Sequence, residues 1–233
     1  MKMNLTVSLQ INARPEAKNR FFPLPFMPLI ALLAGMMLCL HSPAFGSDNI
    51  KRAEAHVAEM ISTVKAKTED RSLTKEDTVS LFADIITEYF DLDGIVRYTA
   101  GRYWRIATDD ERKAYKELFV AMLTKSAAEQ FGQLAQLDFT PTTSRARGDK
   151  LVLVGGIISD KSGKIPDAAV AWRVTTVAGK PAQIIDIEVE NISMLKTQQD
   201  ENTAIIRRNG GTFSALIKEL EARQKSISGN ASQ

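Results

Sequence analysis

Cysteine is almost missing from this chain: Cys39 is the only one in 233 residues. It sits in an N-terminal apolar run, and bulky Leu38 stands before it where a lipoprotein acceptor needs a small residue. Beyond that run there is no thiol, which excludes disulfides, a cysteine nucleophile and cysteine-held zinc or iron–sulfur clusters. Histidine is nearly as scarce, with His41 in the same N-terminal stretch and His56 beyond it. His56 falls at a helical position among Ala55, Glu59 and Met60 and reads as a surface or internally satisfied side chain. Asp91-Leu92-Asp93-Gly94 matches half of a calcium loop but lacks the third acidic position and the closing glutamate. No nucleophile–base pair, phosphate loop or metal-ligand cluster is visible. Catalytic residues and metal ligands are therefore expected to be none.

A one-sided basic charge is missing too. The formal net charge of +2 comes from 30 Lys and Arg against 28 Asp and Glu. Lys2, Arg14, Lys18 and Arg20 belong to a segment whose only acid is Glu16, so without residues 1–46 the balance is −1. No face is set up to neutralise phosphates, and nucleic acid is not an expected partner. The basic residues precede an apolar run from Phe21 to Leu40, broken by Pro23, Pro25, Pro28 and Gly35, and Ala44-Phe45-Gly46 supplies the small residues of a cleavage site. That is the order of a secretory signal. Its strongest part, Leu29–Leu40, falls short of the ~20 residues a spanning helix needs. We expect a signal peptide over 1–46 and a single domain over 47–233.

Within that domain the pattern is helical over 48–137, strand-like over 138–192 and helical again over 198–226. Ile50, Ala53, Val57, Met60, Ile61 and Val64 recur at three- and four-residue steps. Thr74 can cap a second helix that carries Val79, Phe82, Ile86, Tyr89 and Phe90, with Asp91–Gly94 ending it. Thr108-Asp109-Asp110-Glu111 is a capping box opening a long helix to about Leu137. After Pro141 the period becomes two. Thr142–Ala146 reads as a polar edge strand, followed by Leu151–Ile158, Asp167–Val177 and Gln183–Glu190 through short turns. Gly210-Gly211 divides the last helical stretch. Helices, then consecutive strands, then helices imply an α+β fold: a twisted, mostly antiparallel sheet of about four strands with helices on one face.

Two blocks carry a resemblance. Gly101-Arg102-Tyr103-Trp104-Arg105-Ile106-Ala107-Thr108 followed by Arg112, and Asp186-Ile187-Glu188-Val189-Glu190-Asn191-Ile192-Ser193, resemble in order and spacing two signatures of the MlaC (toluene-tolerance) family of periplasmic lipid-binding proteins. The likeness runs from Asp48 to Arg223. Asn191 stands where glycine is common, and Gln183-Ile184-Ile185 where an aromatic–basic pair often precedes the aspartate, departures that fit a divergent branch such as the hopanoid-associated one. The resemblance implies an NTF2-like cone with an apolar cavity between sheet and helices. It implies a non-covalent carrier, not an enzyme, with a bound lipid (phospholipid or hopanoid) in place of a cofactor. Its implied partners are an inner-membrane ABC-type lipid transporter and an outer-membrane complex, and its place is the periplasm. The lipid-binding residues it implies are Tyr103, Phe119, Met122, Leu123 and Phe131 before the sheet. Within the sheet they are Val152, Val154, Val170, Trp172, Val174, Ile185, Ile187 and Val189.

Periodicity alone leaves the same side chains equally suited to a dry core. It also leaves open an isomerase or hydrolase on an NTF2-like cone, with Asp186 or Glu188 as base, and a non-lipid periplasmic adaptor. Arg102, Arg105 and Arg112 stand between locking their loop and meeting a lipid phosphate. Asp186, Glu188 and Glu190 share a strand face that reads as solvated, an acidic strip for a basic partner. N-terminal sequencing of the exported protein should begin at Ser47; a sequence beginning at Met1 contradicts the leader.

Overall fold

The computed structural model describes residues 45–68, 73–130, 133, 135–163 and 166–230. All of the expected leader except Phe45 and Gly46 lies outside them. Helix α1 spans Phe45–Thr68 and buries Ala53, Val57 and Met60, one face at helical spacing. Helix α2, Lys75–Tyr89, opens on Thr74, whose hydroxyl accepts from the Asp77 N–H while Asp77 accepts from the Thr74 N–H. The next segment departs from expectation. Asp91 does not merely end α2: its Oδ1 accepts from the Gly94 N–H at 2.9 Å and caps a further helix, α3, Leu92–Ala100. A 3₁₀ turn, Gly101–Arg105, leads to α4, Asp109–Glu129, with the expected capping box at Thr108 and Glu111. Leu137, expected as the end of that helix, instead begins a strand.

The sheet has six strands rather than about four, all paired antiparallel. They are β1 (Leu137–Pro141), β2 (Arg145–Ala146), β3 (Leu151–Asp160), β4 (Ala168–Thr175), β5 (Gln183–Val189) and β6 (Ile192–Ser193). The order is β1-β3-β4-β5-β6, with β2 also pairing β3. The expected edge strand Thr142–Ala146 shrinks to two residues. Gly156 of β3 lies under the Phe139 ring, where a Cβ would stand 2.0 Å from a ring carbon. Helix α5, Met194–Arg208, starts ahead of the expected Gln198 because Ser193 Oγ accepts from the Lys196 N–H. Gly210 and Gly211, at φ of 84° and 77°, separate it from α6, Phe213–Asn230.

Two buried clusters hold these elements. One joins α1 and α2 to the sheet through Val57, Ile85, Tyr89, Val152, Val174 and Ile184. The other lies among the helices, where Val96, Ala100, Tyr103, Tyr115, Ile206 and Leu216 meet. Inside the second, the Tyr115 hydroxyl lies 2.8 Å from Thr99 Oγ1 and accepts from Asn202 Nδ2 at 2.8 Å, and burial pushes the Tyr115 phenol well above its ordinary range.

Asp186 is the clearest correction to the sequence reading. It is 4% exposed, not part of a solvated strip. Its carboxylate accepts from the Ile187 N–H at 2.8 Å, the Leu195 N–H at 2.8 Å and Ser193 Oγ at 2.5 Å, and Arg173 lies 3.4 Å away. These bonds tie β5 to β6 and to the start of α5. Glu190 is committed as well, accepting from the Ala169 N–H at 2.5 Å, and Glu188 lies 3.7 Å from Arg173. Asp186→Ala, which leaves the buried Leu195 N–H and the part-buried Ile187 N–H unanswered, should cost about 3 kcal/mol in urea unfolding, and Asp186→Asn less. Equal, small losses for both variants would contradict the clamp.

Candidate functional site

The antiparallel register decides which side chains share a face. Val152 pairs with Val174 and Val154 with Trp172 across β3 and β4, and Phe139 pairs with Ile158 across β1 and β3. Across β4 and β5, Trp172 pairs with Ile187 and Arg173 with Asp186, but Val174 pairs with Ile184. The extra residue at that bulge is Ile185, so Ile184 takes the inward place expected of Ile185. Trp172, Val174, Ile184 and Ile187 then lie on one apolar face, with Asp186 and Arg173 on the other.

That face is covered unevenly. At one end α1 lies down on it, and Val152, Val174 and Ile184 are completely buried. At the other, helices and sheet stand apart around a cavity of about 270 Å³. Met60, Ile61 and Val64 of α1, and Phe82, Ile85 and Ile86 of α2, line one wall. Phe90 and, from α4, Leu123 and Ala127 continue it, and Leu137, Phe139, Ile158, Trp172 and Ile187 form the sheet side. Among the described residues, Lys65 and Asp138 are the only charged ones in the lining. Lys65 Nζ donates to Asp138 Oδ1 at 2.7 Å, and Lys161 Nζ lies 3.5 Å from the same oxygen. The Lys65 hydrogen bond holds the Asp138 carboxyl below the usual carboxylate range. The contribution of the pair is therefore present above about pH 4 and is lost as pH falls through the depressed folded value. A groove of about 520 Å³ adjoins the cavity and shares Ile61, Lys65 and Phe139 with it.

Of the residues expected to bind ligand, Leu123, Trp172 and Ile187 meet at this cavity. Val152 and Val174 lie in the sheet–α1 core; Val154 lies there too and borders the adjoining groove. Val170 and Val189 pair with each other beyond the cavity, and Ile185 is the bulge residue. Tyr103, Phe119 and Met122 pack in the helical cluster instead. Phe119 rests 5.7 Å from the Tyr115 ring, because α4 turns one stripe to the helices and Leu123 with Ala127 to the cavity. Phe131 lies outside the described residues. Two of the three arginines hold their own loop: Arg102 donates to the Tyr103 hydroxyl at 2.9 Å, and Arg112 Nε donates to the Trp104 carbonyl at 3.0 Å. His56 Nε2 lies 3.0 Å from the Tyr89 carbonyl, which satisfies it. Sequence reasoning missed the α2 wall and Phe139; the helical stripe of Phe82 and Ile86 was visible, but which cluster it served was not.

The MlaC protein family matches the chain over residues 54–222. The chain belongs to that family. Its fold is shared with a solved structure of the phospholipid-binding protein from Ralstonia solanacearum in complex with a phospholipid. The two are 19% identical with a TM-score of 0.67, and the match covers 76% of this chain and 98% of the other. No curated relative matches the chain. Among the described residues of this MlaC-family protein, no cluster of three or more His, Cys, Asp or Glu is placed to hold a metal.

The uneven cover predicts different fates for two neighbouring positions. Val174→Trp overfills a closed core and should cost about 3 kcal/mol or more, whereas Ile187→Trp projects into open space and should cost about 1 kcal/mol or less. Urea unfolding of both variants checks this; equal losses would contradict the division of the face.

Proposed function

We propose that this protein is a non-covalent carrier of a membrane lipid, either phospholipid or hopanoid-type. The observation that carries the reading is the cavity itself, walled by apolar side chains from α1, α2, α4 and the sheet, with charge, among the described residues, only at Lys65 and Asp138. Membership of the MlaC family and a fold shared with a phospholipid-binding protein support it. So does the physics of the cargo. Exposing ~30 methylenes of two acyl chains costs up to ~25 kcal/mol at ~0.8 kcal/mol per CH₂, far more than polar contacts offset. A water-crossing carrier needs an apolar slot of this kind. At about 270 Å³ the cavity is at the lower bound of ligand sites, which run roughly 300–1,000 Å³. In this reading the shared wall of Ile61 and Phe139 yields, joining the cavity to the adjoining groove.

The carrier works in the periplasm, exported by the N-terminal leader. It exchanges lipid between an inner-membrane ABC-type transporter and an outer-membrane complex. Acid–base catalysis by Asp186 fits poorly: that carboxylate already accepts from three donors, on the face away from the cavity.

Native mass spectrometry of the purified protein, with solvent extraction of what travels with it, tests the reading. Leu123→Trp and Ile187→Trp should lower lipid occupancy by about tenfold, since displacing two methylenes costs ~1.6 kcal/mol, with far-UV circular dichroism unchanged. Full occupancy in both folded variants would place the ligand elsewhere.

A further inference from the structure

The mouth of the cavity carries a charge cluster whose geometry is unlike the rest of the lining. Lys65 comes from α1 and Asp138 from β1, so their 2.7 Å bond bridges the two elements between which the cavity opens. Lys161 approaches the same carboxylate oxygen from the end of β3. Its backbone is anchored beside β1, where the Lys161 N–H donates to the Gln136 carbonyl at 2.9 Å, two residues before Asp138. All three side chains meet solvent, at 44%, 40% and 52% exposure for Lys65, Asp138 and Lys161. The nearby carboxylate of Asp160 is taken up by its own turn, accepting from the Ser162 N–H and hydroxyl.

Two ammonium groups thus share one carboxylate at the rim of an apolar slot. A group carrying one negative charge and several acceptor oxygens would complete the set. We propose that Lys65 and Lys161 read the head group of the bound lipid, taking a phosphodiester monoanion, and that Asp138 holds the two ammonium groups in place when the slot is empty. This rests on the lipid-carrier reading. A neutral lipid fills the same slot but leaves the cluster closed on itself, so the rim ranks lipids by head-group charge while the cavity ranks them by apolar length. The same residues make the Lys65–Asp138 bond a clasp between α1 and β1, which an arriving phosphate loosens by competing for Lys65.

The test is a loading competition. The full exported protein is incubated with vesicles holding equal amounts of phosphatidylglycerol and diacylglycerol with identical chains, and the bound lipids are read by native mass spectrometry. Wild type should favour phosphatidylglycerol. Lys161→Gln, which is not part of the cavity lining, should lower that preference with diacylglycerol loading unchanged. Adding Lys65→Gln should bring the total fall to about tenfold, the scale of a lost hydrogen bond to a charged group. Asp138→Asn should raise the preference, and Lys65→Arg should keep it. A preference unmoved by Lys161→Gln and by the double variant overturns the proposal. Inorganic phosphate given without vesicles should leave the thermal melt unchanged; a stabilisation that Lys161→Gln abolishes would make this a site for free phosphate and overturn the head-group assignment. Wild type that loads neither lipid overturns the phospholipid form of the carrier reading and this proposal with it, an outcome distinct from an unmoved preference.

Discussion

The register of β4 against β5 is the constraint on which the site depends. In an antiparallel pair, side chains alternate strictly, so Ile184 and Asp186 would ordinarily point the same way. The bulge between Arg173 and Val174 breaks the alternation once, giving Ile184 to the apolar face and Asp186 to the opposite one. Without it, either an isoleucine would leave the core or a carboxylate would enter it, at a cost of several kcal/mol for an uncompensated buried charge. The bulge therefore permits one continuous apolar face and, behind it, a buried carboxylate that anchors β6 and α5.

That face is longer than any one helix covers. Where α1 lies close, Val152, Val174 and Ile184 are fully buried; where Phe139, Ile158, Trp172 and Ile187 lie, the helices stand off and space remains. The packed core and the open cavity are thus drawn from the same strands, a few residues apart. The helices α3 to α6 form their own cluster around Tyr115, which lets them keep their shape without filling the cavity. This division explains how a chain of this size can hold open an apolar space: the folding free energy comes from two packed regions on either side of it.

Much of the fold was legible in the residues. Thr74 and Thr108 mark helix starts through local hydrogen bonds, and Gly210-Gly211 marks a break through backbone freedom, signals that need no tertiary context. The site was legible only in part. Leu123, Trp172 and Ile187 were named, but on α4 Phe119 sits one turn before Leu123 and Met122 directly beside it, and both face another cluster. A stripe of apolar residues says that a helix is covered, not by what. Asp186 misled for a related reason: alternation placed it with Glu188 and Glu190, whereas its burial depends on Ser193 and Leu195 folding back over it. The α3 helix was missed because Asp91, read as a stop for α2, is the N-terminal cap of α3.

In the proposed carrier, ligand chains lie between α1, α2, α4 and the outer part of the apolar face. Photo-crosslinking with a phospholipid bearing a diazirine on its acyl chain tests this most directly. Labels mapped by peptide mass spectrometry should fall on Met60, Ile86, Leu123 and Ile187, with Phe119 and Met122 unlabelled. Labelling concentrated on Phe119, Met122 and Tyr103, with the cavity residues clean, would contradict it.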